Sequence, residues 1–258
     1  QEVSGEVSGN WTSSYQYWVM DDITVPNGET LTIDAGVKVK FSAGTGLICN
    51  GRLDINGGPD NVVTFTSKEP TPNPGDWKNV ELNAGDNFIS YLNYEYAEDG
   101  FTGDDISGSI FDNISMNGSL SLSANAFNFG DDYANGNNIN LSFTNNEIFV
   151  ANKIIYALFA DGSTVSGNIF GSSYDGNAIE MAHCDNCIVD GNDISGQPHT
   201  GIKLDNSNNS TISNNNLDVD MYGIISNHGD GLSITGNTII LSEVTESYSK
   251  GIEFYNSN

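Results

Sequence analysis

Short segments of alternating apolar and polar residues recur along the chain, and their spacing predicts a coil of stacked β-strands. The segment at 189–194 (VDGNDI) has the pattern apolar-x-x-Asn-x-apolar. The same pattern recurs at 122–127, 143–148, 165–170, 212–217 and 234–239, with its asparagines at Asn125, Asn146, Asn168, Asn192, Asn215 and Asn237. These asparagines are 21 to 24 residues apart. Self-similarity at a fixed period of this length is typical of a solenoid.

A second pattern keeps the same period, with members at 156–159, 178–181, 201–204, 223–226 and 251–254. It predicts a buried column of Ala157, Ile179, Ile202, Ile224 and Ile252, and an outward column of Leu158, Glu180, Lys203, Ile225 and Glu253. The segment 101–106 extends the first pattern by one repeat, with Asp104 in the Asn position, and 243–249 contains an insertion. Strands alternate inward and outward side chains, so stacked repeats bury one continuous core.

These patterns predict an all-β fold, a right-handed parallel β-helix with rungs of about 22 residues. Asn146, Asn168, Asn192, Asn215 and Asn237 are expected to stack as an internal ladder at one turn, because neighbouring strands lie about 4.8 Å apart. Glu180 and Lys203 are expected to be outward neighbours on adjacent strands, where a cross-strand ion pair is the ordinary outcome.

The first hundred residues alternate equally well but with different spacing, which predicts wider rungs. We divide the chain into an N-terminal cap at 1–22, wider rungs at 23–100 and regular rungs at 101–258. An aromatic cap is predicted from Trp11, Tyr15, Tyr17 and Trp18, because the terminal repeat of a solenoid must be covered. The last strand pattern is followed by only four residues, so we expect further rungs, a cap or an anchoring domain beyond Asn258.

The composition restricts the classes of partner that such a coil can bind. The formal charge is −26, from 34 acidic and 8 basic residues. This charge repels nucleic acid and anionic lipid, and it suits solubility in salty water or the collection of cations such as Ca2+. No run of about 18 apolar residues is present, so no membrane insertion is expected. The low Lys content and the start at Gln1 fit a mature, secreted or cell-surface protein whose signal peptide has been removed.

Three cysteines are present, and Cys184 and Cys187 form a C-x-x-C directly after His183. A zinc site would need a fourth ligand that the spacing does not supply. A local disulfide and two free, half-buried thiols both remain open, and Cys49 has no evident partner.

The segments ITVPNGETLTIDAGVKVKF (23–41), GRLDINGG, VTFTS and GDW resemble the opening of secreted bacterial β-helix proteins of the Bacteroidetes surface type. The later SGN-containing rungs are similar to the repeat of the pectate-lyase-like superfamily. That resemblance implies the fold strongly and the activity weakly, because the superfamily mixes lyases, hydrolases, epimerases and non-catalytic surface proteins.

The resemblance transfers no catalytic residue. Lyases of this fold need a cation or neutralising group at the uronate carboxylate and a Lys or Arg base. The single arginine, Arg52, precedes the regular rungs, and Lys203 is a conceivable base for which a cross-strand ion pair is the ordinary explanation. Hydrolases of this fold carry paired aspartates with Gly-His-Gly and Arg-Ile-Lys motifs. Here the segments His228-Gly229-Asp230 and Gly201-Ile202-Lys203 match these motifs only in part. We expect Lys203→Ala to leave any polysaccharide cleavage unchanged.

A polar ridge is the best candidate site. Aligning the rungs places Asp161, His183, Asn206 and His228 in one column, with Asp185, Asn208 and Asp230 two residues further on. Such a ridge could bind a cation or sugar hydroxyls, whereas a solvated stack of polar turns is the competing interpretation. No cofactor is certain; Ca2+ is the one candidate, without an assignable ligand set.

The function predicted from the sequence is a non-catalytic extracellular or cell-surface module for adhesion or polysaccharide binding, within a larger protein. The alternative is a polysaccharide lyase or glycoside hydrolase that acts on acidic polysaccharide. The expected partner is a polysaccharide or cell-surface glycan, and nothing in the sequence indicates an oligomeric state.

Overall fold

The chain folds as a right-handed parallel β-helix of about nine turns. The computed structural model describes residues 1–117, 120, 124–130, 138–150, 152–172, 176–242 and 249–255. Within these residues all regular structure is β-strand, and every paired strand runs parallel to its neighbours. No helix among the described residues has the length and apolar character needed to cross a membrane.

Twenty-eight short strands build the coil. In chain order they are β1 (Glu2–Glu6), β2 (Gly9–Trp11), β3 (Gln16–Val25), β4 (Thr30–Asp34), β5 (Lys38–Phe41), β6 (Leu47–Cys49), β7 (Arg52–Asn56), β8 (Val63–Ser67), β9 (Val80–Leu82), β10 (Phe88–Tyr94), β11 (Phe101–Gly103), β12 (Ile110–Asn117), β13 (Phe127–Phe129) and β14 (Ser142–Thr144). They continue with β15 (Glu147–Val150), β16 (Ile155–Leu158), β17 (Thr164–Ser166), β18 (Ile169–Ser172), β19 (Asn177–Ala182), β20 (Ile188–Asp190), β21 (Asp193–Ser195), β22 (Thr200–Asp205), β23 (Thr211–Ser213), β24 (Asn216–Val219), β25 (Tyr222–Asn227), β26 (Ser233–Thr235), β27 (Thr238–Leu241) and β28 (Lys250–Tyr255).

The strands form three stacks, which we call sheets A, B and C. Sheet A runs through β6, β9, β11, β13, β16, β19, β22, β25 and β28. Sheet B runs through β2, β4, β7, β14, β17, β20, β23 and β26, and sheet C through β5, β8, β15, β18, β21, β24 and β27. The strands β1 and β3 continue around the corner between sheets C and A. The strands β10 and β12 continue around the corner between B and C, and they lie between β7 and β14 in B and between β8 and β15 in C. Each regular rung therefore passes through A, B and C in that order.

The predicted asparagine ladder is confirmed at the corner between sheets B and C. Side-chain Nδ2 atoms donate to the Oδ1 atom one rung on, at 2.9, 2.8, 2.9 and 2.9 Å, through Asn146, Asn168, Asn192, Asn215 and Asn237. Each Oδ1 acceptor also receives the backbone N–H of the preceding asparagine. The ladder thereby satisfies polar groups that the coil buries at this turn.

The repeat pattern that predicted this ladder also included Asn125 and Asp104, and these two residues do not lie in it. Asn125 and Asp104 belong to rungs whose neighbouring residues Phe127 and Phe101 pair with each other in sheet A. The ladder instead continues to Ile114, whose N–H donates to Asn146 Oδ1 at 2.9 Å, 32 residues earlier in the chain. The rung from Ile114 to Asn146 has 32 residues, which is longer than the sequence period. Counting back about 22 residues from Asn146 therefore reached a residue on another face of the coil. Residue 122, the insertion at 243–248 and the chain end at 256–258 lie outside the described residues.

The predicted core column needs one correction in register. Ile155, not Ala157, pairs with Ile179, and Tyr156, not Leu158, pairs with Glu180. A shift of two residues keeps every side chain on its face, so alternation alone could not detect it. The column continues correctly through Ile202 and Ile224, which are fully buried. Ile252 is in register but 44% exposed, because no further described strand lies beside β28.

The core of the first rungs combines many aliphatic side chains with a cluster of aromatic ones. Phe41, Phe65, Trp77 and Tyr94 are buried and in ring contact. Among the residues predicted to form a cap, Trp11 and Tyr17 are buried and stacked with centroids 4.2 Å apart, whereas Tyr15 and Trp18 are 58% and 39% exposed. Strands within 1–22 already pair in the stacks, and the division of the chain at 22 and 100 stays a prediction.

Candidate functional site

The corner between sheets A and B carries a column of residues in the left-handed backbone conformation. Their φ angles are 54° at Phe159, 51° at His183, 49° at Asn206 and 55° at His228. The backbone N–H of each residue donates to a carbonyl oxygen of the following rung. Asn and His tolerate this conformation, but a bulky residue such as Phe159 is strained there by on the order of 1 kcal/mol. Strain of this kind clusters at ligand-binding positions.

A second column lies two residues further along each rung. Asp161 Oδ1 accepts the backbone N–H of Asp185 at 2.7 Å, and Asp185 Oδ1 accepts the backbone N–H of Asn208 at 2.7 Å. Asn208 Oδ1 in turn accepts the N–H of Asp230 at 3.0 Å. One oxygen of each side chain is thus fixed by the rung that follows. The second oxygen of each carboxylate adds acceptor capacity that a ligand can use.

The two columns line a surface groove of about 500 Å3. Its lining residues are Ile139, Phe159, Asp161, His183, Asp185, Asn206, Asn208 and His228. The rings of Phe159 and His183 stack, with centroids 5.0 Å and planes 12° apart. The groove therefore combines an aromatic surface with a repeating row of hydrogen-bonding side chains.

Five of the six predicted ligand-binding residues line this groove, namely Asp161, His183, Asp185, Asn206 and His228. Asp230 continues the second column at its end. Asp161 was predicted in the first column but lies in the second. Phe159, not Asp161, is beside His183 in the first column. This is the same two-residue register error as in β16.

Phe159 was missed as a site residue because the sequence alignment assigned it to a strand. The correct register shows His or Asn at this corner in the next three rungs, so a phenylalanine there breaks the pattern. That break would have been a signal if the register of β16 had been known.

The turn between β19 and β20 is cross-linked beneath the groove. Cys184 and Cys187 form a disulfide and are almost completely buried, while His183 and Asp185 on the same turn line the groove. The next rung also holds this turn, since Ser210 Oγ accepts the N–H of Cys187 at 3.0 Å. Of the alternatives left open by the sequence, the structure contains the local disulfide. Cys49 is a free, buried thiol.

The outer face of sheet A beside the groove carries an ion-pair cluster. Glu180 pairs with Lys153 at 2.8 Å and with Lys203 at 2.9 Å, and Asn177 also donates to it. The predicted outward pairing of Glu180 with Lys203 is confirmed. Burial disfavours the Glu180 carboxylate, but the hydrogen bonds from Lys153, Lys203 and Asn177 outweigh it and lower its pKa to about 2. Lys203 also lies 3.7 Å from Asp205.

This geometry predicts a small effect for Lys203→Ala. Glu180 keeps Lys153 and Asn177, so we expect the free energy of unfolding to fall by no more than about 1 kcal/mol. Ligand binding in the groove should not change. Chemical denaturation and binding titration of the same preparation would measure both, and a loss of binding without loss of stability would place Lys203 in the site.

Histidine, cysteine and methionine, the side chains that bind copper, are few in this chain. All three histidines, three cysteines and four methionines lie within the described residues. Within that part of the chain, no group of three or more His, Cys, Asp and Glu side chains is arranged to hold a metal ion.

Solved structures resemble the fold at low sequence identity. The enzymatically active domain of tailspike protein 2 from bacteriophage CBA120 aligns with a TM-score of 0.56 and 11% identity, over 94% of this chain and 42% of the tailspike chain. The periplasmic alginate epimerase AlgG, as its D317A mutant, aligns with a TM-score of 0.51 and 11% identity, over 96% of this chain and 72% of the epimerase. This chain thus spans less than half of the tailspike domain. At such identity these matches show a shared fold alone.

Sequence comparison with protein families gives a more specific assignment. A search of curated proteins found no match. A family model described as periplasmic copper-binding protein (NosD) matches residues 83–258, which contain all of the regular rungs and the whole groove. Because this match covers more than half of the chain, the protein belongs to the NosD family of parallel β-helix proteins.

Proposed function

We propose that this chain is an exported β-helix module that binds a polysaccharide along the groove between sheets A and B without catalysing a reaction. The observation that carries this proposal is the groove itself. A stacked Phe159–His183 ring pair adjoins a row of Asp and Asn side chains that repeats from rung to rung.

A polysaccharide fits this arrangement for physical reasons. Sugar hydroxyls form hydrogen bonds with carboxylate and amide groups, and the apolar face of a sugar ring packs on aromatic side chains. Solenoids present extended surfaces in which similar groups recur at each repeat, about 4.8 Å apart. A polymer can contact several such groups at once, whereas a small molecule would use only one or two rungs.

Location outside the cytoplasm is supported by two observations. The family description is that of a periplasmic protein, and the Cys184–Cys187 disulfide is stable mainly in oxidising compartments. We therefore place the module in the periplasm or at the cell surface. A role in adhesion would use the same groove to hold a cell-surface glycan.

Copper, which the family description names, does not fit the residues present. Copper sites draw on His, Cys and Met side chains. Cys184 and Cys187 are bonded to each other, and burial raises the pKa of the Cys49 thiol. His183 and His228 stand two rungs apart, and among the described residues no group of three His, Cys, Asp and Glu side chains is arranged to hold a metal ion. We derive no step through copper.

A polysaccharide lyase or hydrolase is the second candidate. It is favoured by Asp161 and Asp185 in adjacent rungs, since glycoside hydrolysis uses paired carboxylates. Against it, one oxygen of each carboxylate already holds a backbone amide, and no Lys or Arg lines the groove. Release of new reducing or unsaturated sugar ends that Asp185→Asn abolishes would establish this alternative.

Phe159→Asn tests the binding proposal. We expect polysaccharide affinity, measured by affinity electrophoresis against a panel of polymers, to fall between about twofold and tenfold, since aromatic contacts contribute about 0.5–1.5 kcal/mol. The thermal midpoint should hold or rise, because Asn tolerates the left-handed backbone better than Phe.

Tyr15→Asn is the matched control, because it removes an exposed aromatic ring far from the groove. It should leave the affinity unchanged. Equal losses in the two variants would contradict the assigned groove, and a panel in which no polymer binds the native chain would contradict the proposed function.

A further inference from the structure

The charge around the groove narrows the class of polysaccharide. Asp161 and Asp185 line it, Asp230 continues their column, and no Lys or Arg is among the lining residues. The chain as a whole carries a formal charge of −26. A polymer with one carboxylate per sugar would therefore meet like charges along its length.

The lysines beside the groove do not make its electrostatic potential positive. Lys153 and Lys203 are ion-paired with Glu180, and Lys203 also lies near Asp205. Two ammonium groups thus face two carboxylates, and this rim contributes no net positive charge. Recognition of a carboxylate in proteins ordinarily uses an Arg or Lys that is available to the ligand.

A bridging cation could in principle join a uronate to the aspartates. Within the described residues, however, no group of three His, Cys, Asp and Glu side chains is arranged to hold a metal ion. The oxygens Asp161 Oδ1 and Asp185 Oδ1 are further occupied by backbone amides. The groove offers carboxylate and amide oxygens that accept hydrogen bonds from hydroxyl groups, and its lining carries no Lys or Arg that would neutralise acidic sugars.

We infer that the ligand is an uncharged polysaccharide and that the groove discriminates against polyuronates. This inference rests on the proposed function and specifies its ligand class. It separates the chain from the alginate epimerase that shares its fold, since alginate is a polyuronate.

The test compares each polyuronate with its own uncharged, carboxyl-reduced form, and both with neutral glycans. Alginate and polygalacturonate are measured beside their carboxyl-reduced forms and a panel of neutral plant and bacterial glycans, by affinity electrophoresis with and without Ca2+. We expect a neutral polymer to bind, and each reduced polymer to bind at least as tightly as its parent. Each like-charge contact with an aspartate should weaken a polyuronate about fivefold.

Two double variants test whether the groove aspartates cause the preference for neutral polymers over polyuronates. Asp161→Asn with Asp185→Asn removes two such contacts and should shift the ratio of polyuronate to neutral affinity about 25-fold toward the polyuronate. Asp190→Asn with Asp193→Asn makes the same change in net charge on other faces, and it should shift the ratio far less. Equal shifts would overturn the assignment of discrimination to the groove.

The remaining outcomes are distinguishable. A polyuronate that binds more tightly than its reduced form, in either Ca2+ condition, would overturn the ligand class and leave polysaccharide binding intact. Failure of every polymer to bind would overturn the proposed function, and the ligand class with it.

Discussion

Replacing Asn192 with alanine is expected to lower the free energy of unfolding by about 3–6 kcal/mol, because it leaves several buried polar groups unpaired. Asn192 is 1% exposed. Its Nδ2 donates to Val165 O and Asn215 Oδ1, and its Oδ1 accepts both the backbone N–H and the side-chain amide of Asn168. Alanine can replace none of these bonds, and the turn is too well packed for water to replace all of them. Urea unfolding followed by circular dichroism measures the loss.

Asn237→Ala is the matched control for this prediction. Asn237 makes the same kind of contacts, with Nδ2 on Ile212 O and Oδ1 accepting from Asn215, but it is only partly buried. Water can therefore reach the groups that the substitution leaves unpaired, and the loss should be less than half as large. Equal losses, or a loss below about 1 kcal/mol for Asn192→Ala, would show that the ladder does not hold the coil together.

The regular rungs could be predicted from the sequence because two signals there are physically independent. The ladder asparagines fix the corner between sheets B and C, and the Gly-Ile segments fix sheet A. Both follow the same spacing from Asn168 onwards. At Ala157 the register failed because this rung lacks the Gly-Ile or Ala-Ile pair of the later rungs, and a shift of two residues preserves alternation.

The longer rungs could not be placed by counting. The step from Ile114 to Asn146 spans 32 residues, so a count by the average period assigned Asn125 to the repeat pattern of the ladder asparagines although it lies elsewhere. The polar ridge was predictable as a set of residues because His183, Asn206 and His228 recur at the rung spacing. The groove they form with Phe159 was not, since it depends on a strained backbone and a ring stack. Neither leaves a periodic signal.

The disulfide joins this groove to the stability of the coil. Cys184 and Cys187 lie on the turn that carries His183 and Asp185, and both sulfur atoms are buried beneath it. The link closes a loop of about four residues, for which chain entropy gives a stabilisation of about 2 kcal/mol. Without it, the turn would be held only by bonds such as that from Cys187 N–H to Ser210. The positions of His183 and Asp185 should then be less well defined, and ligand binding would have to restore them.

The double substitution Cys184→Ala and Cys187→Ala is therefore expected to lower both stability and polysaccharide affinity. We expect a loss of about 2 kcal/mol from the cross-link in addition to the cost of the removed sulfur atoms. Affinity should fall several-fold, because the ligand must then order the turn, and the entropy lost in that ordering weakens binding. Cys49→Ala is the control, since it removes a buried sulfur that forms no disulfide and should weaken packing without changing affinity. Unfolding and binding are measured on the same samples; a double variant that binds as tightly as the native chain would show that the turn needs no cross-link to present the groove.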